Sequence, residues 1–177
     1  MLATRSAIDR ALRDGPGGSP GWECNHVSME SIFQHAGGTP ALHHFVDVFY
    51  TSVLADPLLQ PLFGAGRPEH VDHLTAFEAE SFGGPDDFTR QLGFAHLIQV
   101  HRGLQISEPQ RQRFVELYMA AADTAGLPAD PPFREALRSH VEFGSHVARQ
   151  NSLARSDDEL HPLREVPKWQ WPSAESP

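Results

Sequence analysis

The chain has 177 residues, enough for one domain with a sizeable core, and its 40% hydrophobic and 21% charged content is ordinary for a globular protein. A net charge of −9 excludes a general nucleic-acid binder, which needs a basic face, and weakens any case for an anionic membrane surface. No apolar run approaches the ~20 residues of a membrane span, Met1–Arg13 lacks a continuous signal-peptide core, and the single cysteine, Cys24, leaves no internal disulfide. A cytoplasmic protein with neither nucleic-acid nor membrane partners is expected. Eleven histidines against two tyrosines direct attention to metal chemistry.

Residues 1–27 carry the run Gly15-Pro16-Gly17-Gly18-Ser19-Pro20-Gly21, which supports neither helix nor strand, and read as a flexible arm. A short helical piece, Met29–Ala36, stops at Gly37-Gly38. Thr39 then caps a helix with Pro40 at its first position, where a missing N–H costs nothing. Leu42, Phe45, Val46, Phe49 and Val53 form its 3.6-residue stripe, and Pro57 ends it. The apolar corner Pro57–Phe63 reads as one short turn. A further helix spans about Pro68–Phe82, with Val71, Leu74, Phe77 and Phe82 on its buried side, and ends at Gly83-Gly84-Pro85. Residues 86–103 form short helical pieces around Gly93. Ser107-Glu108-Pro109-Gln110 is a capping box that opens a stronger helix, with Phe114, Leu117, Tyr118, Ala121 and Ala125 facing inward and Gly126 closing it. The last long helix begins near Pro131 and uses Phe133, Leu137, Val141, Gly144 and Ala148. No alternating stretch reads as a strand, and no repeat is present. The domain is expected over 28–151. Beyond it, 152–177 is a polar extension whose Val166, Trp169 and Trp171 are unusual for a disordered tail and suggest docking.

His70, Leu74 and Phe77 fall on one helical face, and Leu97 and His101 share another. Tyr50 lies beside the Phe49/Val53 stripe. Two histidines, a phenol and many aromatic rings could line the flat apolar slot, axial nitrogen donor and opposing hydrogen-bond donor that a haem needs. The same residues also admit plainer readings. A histidine on an apolar face is usually a satisfied core group, and Phe45, Phe49, Phe77 and Phe114 at helical spacing are more often core than cofactor box. His43, His44 and His73 read as solvated, and His140 and His146 as packing or surface residues. Composition and spacing leave haem as one option.

The segment Phe45-Val46-Asp47-Val48-Phe49-Tyr50-Thr51-Ser52-Val53-Leu54-Ala55-Asp56-Pro57-Leu58-Leu59 resembles the second helix and corner of bacterial truncated haemoglobins. Gly37-Gly38 and Gly83-Gly84-Pro85 match that family's helix-breaking glycine pairs, and Gly93 to His101 keeps its glycine-to-histidine spacing. The resemblance covers about residues 30–151 and is closest to the family's second group. It implies an all-α, two-over-two helical sandwich around a haem pocket. Within it, His101 matches the proximal iron ligand and Tyr50 the distal tyrosine that donates to bound oxygen. His70 matches the distal-helix position nearest the ligand, with Leu74 one turn on, and Phe63 the aromatic that stacks on the porphyrin. Phe49, Phe77, Leu97 and Phe114 complete the expected pocket.

Three residues depart from the second group's pattern. Phe114 stands where a tryptophan normally reaches the ligand, so that donor is absent. His70 replaces a small residue. Val100 replaces a basic residue before the proximal histidine, leaving Arg67, Arg90, His96 and Arg102 as candidate partners for the haem propionates.

The resemblance implies one non-covalent haem b, since no Cys-x-x-Cys-His motif is present. It also implies binding of oxygen and other diatomic ligands, with oxygen transport, nitric-oxide dioxygenation and weak peroxidase chemistry as family activities among which the sequence does not choose. Turnover would need an external reductase. A monomer or homodimer is expected. The rivals are a non-haem histidine-metal protein and a sensor or interaction module on the same fold. Di-iron and zinc sites would require paired Glu-x-x-His or His-Glu-x-x-His motifs, and neither occurs.

Overall fold

In the computed structural model, residues 30–172 are described; the expected arm 1–27, with Cys24, lies outside them. The described chain is helical: α1 (Ile32–His35), α2 (Gly38–Ala55), α3 (Gln60–Phe63), α4 (Glu69–Ser81), α5 (Asp87–Gln91), α6 (Gly93–His101), α7 (Glu108–Thr124) and α8 (Pro131–Leu153), followed by a 3₁₀ turn at Asp157–Glu159. No strand occurs among the described residues.

Local chemistry sets the boundaries. Ser31 and Ser107 each close a capping box, with Gln34 and Gln110. The Asp130 carboxylate accepts from the Phe133 N–H to start α8. The start of α2 differs from the expected Thr39 cap: the helix begins at Gly38 and its N-cap is Gly37, at φ 97°. That left-handed backbone turns α1 into α2 within two residues, a geometry glycine reaches without a Cβ penalty. At the α2–α3 corner the Asp56 carboxylate accepts from the Leu58 and Leu59 N–H groups and from Arg113 Nε at 2.7 Å. This fastens the corner to α7.

α2 packs chiefly on α4 and α7, and α7 on α8, so two helix pairs lie across one another. Leu42, Phe45, Val46, Phe49 and Val53 of α2 sit at the centre, against Tyr118, Ala121 and Ala122 of α7 and Phe133, Ala136 and Leu137 of α8. Phe45 and Phe49 meet the Tyr118 ring edge-to-face at 4.8 and 5.4 Å. Two expected stripes shift. On α7, Val115 and Ala122 are buried while Phe114, Leu117 and Ala125 are half-buried. On α4 the fully buried residues are Thr75, Glu78, Ala79, Glu80 and Ser81, while Val71, Leu74 and Phe77 are half-buried. The physical reason is a cleft: Leu74, Phe77 and Phe114 face it rather than solid core. After α8 the chain doubles back, and the Trp169 N–H donates to the Ser81 carbonyl at 2.7 Å.

Candidate functional site

The cleft lies between α4, α6, α7 and α8, lined by Leu74 and Phe77, by Phe94, Leu97, Ile98 and His101, by Phe114, and by Val141, Val147 and Ala148. Its walls are overwhelmingly apolar, as a porphyrin face requires. His101 is the last residue of α6. Its Nδ1 lies 2.7 Å from the Leu97 carbonyl oxygen. A carbonyl only accepts, so Nδ1 carries a proton, and in the neutral ring Nε2 then keeps its lone pair. Burial pushes the His101 imidazole below its ordinary titration range, with the Leu97 bond opposing the shift. The ring is therefore held neutral, in one tautomer, on the wall of an apolar cleft. This is the donor chemistry of an axial haem ligand.

A second cluster sits one turn up α4. Tyr50, 7% exposed, meets the rings of Phe63 and His70 edge-to-face at 6.0 and 5.6 Å. Its hydroxyl lies 2.7 Å from His70 Nδ1 and accepts from the Arg67 N–H at 2.9 Å. Gly66, at φ 80°, makes this approach possible: a Cβ there would stand 2.8 Å from Leu54 Cδ1 and 3.3 Å from the Tyr50 oxygen. The Tyr50–His70 bond has two possible directions, phenol O–H to bare Nδ1 or Nδ1–H to phenol oxygen. Only the second leaves the phenol hydrogen for another partner.

Burial, then the charges of Arg67 and His73, lower the His70 pKa. An NMR titration is expected to place it below the ordinary imidazole value of about 6.5. Since folding lowers this pKa, the unfolded chain binds more protons between the two values. His70 therefore costs stability as pH falls from about 6.5 to the folded value. A measured value above 6.5 would contradict the described environment.

The expected site residues thus fall into two groups. Leu74, Phe77, Leu97, His101 and Phe114 line the cleft. Tyr50, Phe63 and His70 form the polar cluster, and Leu74 joins the groups at i+4 from His70. Phe49 stands behind the wall, edge-to-face with Phe114 at 4.9 Å. Of the candidate propionate partners, Arg90 is paired with Asp86 and Asp87, and Arg102 with Asp157.

Sequence reasoning missed a buried polar set on the same cleft. The Glu78 carboxylate oxygen Oε2 accepts from the Tyr118 hydroxyl at 2.8 Å and lies 2.9 Å from His140 Nε2. All three residues are at most 3% exposed. Burial and the Glu78 charge push the Tyr118 phenol pKa up, so it stays protonated. His140 Nδ1 has no hydrogen-bond partner among the described residues. One signal was available: Glu78 continues the i+4 row from His70 through Leu74, so an acid sits on a stripe that otherwise faces inward. No group of three or more histidine, cysteine or acidic residues able to hold a metal ion comes together among the described residues.

Residues 31–149 match the model of the bacterial-like globins. The chain belongs to that family. This globin is 28% identical over 103 residues to the group 1 truncated hemoglobin GlbN of a Nostoc species, covering 58% of the chain and 84% of that protein. Its structure resembles the hemoglobin of Chloroflexus aurantiacus, with TM-score 0.61 and 29% identity over 67% of the chain and 96% of that protein. It also resembles the group II truncated hemoglobin of Bacillus anthracis, with TM-score 0.62 and 22% identity over 72% of the chain and 96% of that protein. The structural neighbours thus include a group II truncated hemoglobin, while the GlbN relative is a group 1 protein. The fold is the two-over-two truncated-globin sandwich, and the family is haem-binding. No helix among the described residues is long and apolar enough to cross a membrane.

Proposed function

We propose that this globin binds one haem b in the cleft, where His101 Nε2 would hold the iron and Tyr50 and His70 would offer hydrogen-bonding groups to a diatomic ligand. The observation that carries the reading is the His101 Nδ1–H bond to the Leu97 carbonyl, which aims a neutral imidazole lone pair away from its own helix. Bound haem supplies an iron that takes oxygen and similar ligands reversibly.

The chain's own residues do the rest. Leu74, Phe77, Leu97 and Phe114 exclude water from the porphyrin faces. Phe63 flanks the phenol edge-on. Tyr50 is the hydrogen-bond donor to a polarised ligand, and His70 controls whether that hydrogen is available. Phe114 brings no donor, so stabilisation rests on the Tyr50–His70 pair. Among the described residues, the Arg67 and His96 side chains make no ion pair, which makes them the better propionate partners. Oxygen binding is the function this arrangement supports. Nitric-oxide or peroxide turnover would add an external reductase.

Tyr50→Phe tests the distal half. A hydrogen bond of this kind contributes about 1–3 kcal/mol, so oxygen release is expected to accelerate by roughly tenfold or more. Carbon monoxide, whose complex is less polar, should be released at a rate changed much less. Stopped-flow measurement of both rates checks this. Equal changes for the two gases would reduce Tyr50 to a steric role.

A further inference from the structure

Residues 160–171 lie beyond the family match, which stops at 149. They nevertheless form part of the cleft. Leu163 and Pro167 line it together with Leu97 and His101. Val166, 5% exposed, is buried with Phe88, Phe94 and Ile98, and Leu160, Leu163, Leu97 and Phe77 pack against this cluster. Phe94 and Ile98 are one i+4 pair of α6, and Leu97 and His101 are another. The segment therefore seats on the row beside the candidate ligand.

Polar contacts hold the segment along its length. The Asn151 side-chain oxygen accepts from the His161 N–H at 3.0 Å. Lys168 Nζ donates to Glu80 Oε1 at 2.9 Å and to the Glu80 carbonyl at 3.2 Å. Glu80, 3% exposed, also accepts from the Thr89 N–H and hydroxyl at 2.9 and 2.6 Å. One buried carboxylate thus joins α4, α5 and the segment, and α5 leads directly into α6. Trp171 Nε1–H donates to the Glu30 carbonyl at 2.7 Å, and the Trp169 ring stands 5.1 Å from His140. Pro162 and Pro167 lower the entropy cost of ordering this stretch.

α6 has nine residues, too few to be stable alone, and its main helix partners are α5 and α8. Its orientation, and with it the direction of His101, depends on what packs on its remaining side. We propose that residues 160–171 are a strap that completes the haem cleft and positions His101 through Leu163, Val166 and Pro167, making them positioning residues for the iron ligand. This rests on the haem reading above.

The test uses the full-length, haem-loaded globin and the variants Leu163→Ala, Val166→Ala, Val166→Ile and Pro167→Ala, with the exposed Glu165→Ala as control. Two quantities are read well below the unfolding temperature: the rate of haem transfer to excess apomyoglobin, and the iron–histidine stretching band of the ferrous protein by resonance Raman. Leu163→Ala, Val166→Ala and Pro167→Ala are expected to lose haem about tenfold faster and to shift or broaden the band. Val166→Ile and Glu165→Ala should match wild type. Leu163 and Pro167 sit on the cleft wall rather than at the centre of the Val166 cluster, so they carry the test if Val166→Ala does not fold. Haem loss and a band equal to wild type in Leu163→Ala and Pro167→Ala would overturn the proposal, as would a lowered melting temperature with the band unchanged. Failure of the wild type to form a Soret band would instead sink the haem reading itself, and the strap's role with it.

Discussion

Replacing His101 with alanine is expected to abolish stable haem retention while leaving the fold largely intact. The imidazole is the last side chain of α6, and its one described hydrogen bond is to the Leu97 carbonyl of its own helix. Phe94 and Ile98, not His101, carry the packing of α6 into the neighbouring cluster. Removal should therefore cost little in the apoprotein. The loss for haem should be large, since removing even an outer partner of a ligand typically weakens a metal site by about 10–100-fold, and here the donor atom itself goes. External imidazole should partly restore the spectrum by filling the vacated position. Haem transfer to apomyoglobin, with and without imidazole, measures both effects. Wild-type retention in His101→Ala would move the ligand elsewhere.

Glu78→Ala is expected to be the most destabilising single substitution in the set. It leaves the Tyr118 hydroxyl and His140 Nε2 buried without the carboxylate that both now reach. Breaking a buried pair by removing one partner costs about 3–5 kcal/mol, a fall in melting temperature of roughly 6–20 °C for a chain of this size. The triple replacement Glu78→Leu, Tyr118→Phe, His140→Leu should cost less than Glu78→Ala alone, because no polar group is then stranded. Thermal unfolding of the apoproteins compares the two. A triple variant less stable than Glu78→Ala would mean that the network contributes net stability rather than only requiring its own completeness.

The helices were legible because their signals are local. The Ser107-x-x-Gln110 box, the glycine breaks at 37–38 and 83–84, and the α2 stripe each act within a turn or two; the matching Ser31-x-x-Gln34 box went unread. Tyr50, His70 and His101 also stood beside apolar rows at helical spacing, but their proposed roles came from the resemblance to truncated haemoglobins, since a histidine on an apolar face is by itself an ordinary core group. The Glu78–Tyr118–His140 set was not legible, because its members come from three helices and share no spacing. A hydropathy reading also assigns glutamate to solvent unless its partner is known. The cleft-facing positions of α4 and α7 misled in the other direction, since Leu74, Phe77 and Phe114 are apolar yet only half-buried. In the tail, Val166, Trp169 and Trp171 stood out by composition. Their partners Phe94, His140 and Glu30 are set by tertiary packing that no local pattern encodes.

Haem binding is measured by titrating the apoprotein with hemin and recording the absorption spectrum, then reducing the product and adding carbon monoxide. A haem-binding cleft gives a strong Soret band that saturates at one haem per chain and shifts sharply on forming the carbon monoxide complex. A spectrum indistinguishable from free hemin throughout the titration would contradict haem binding.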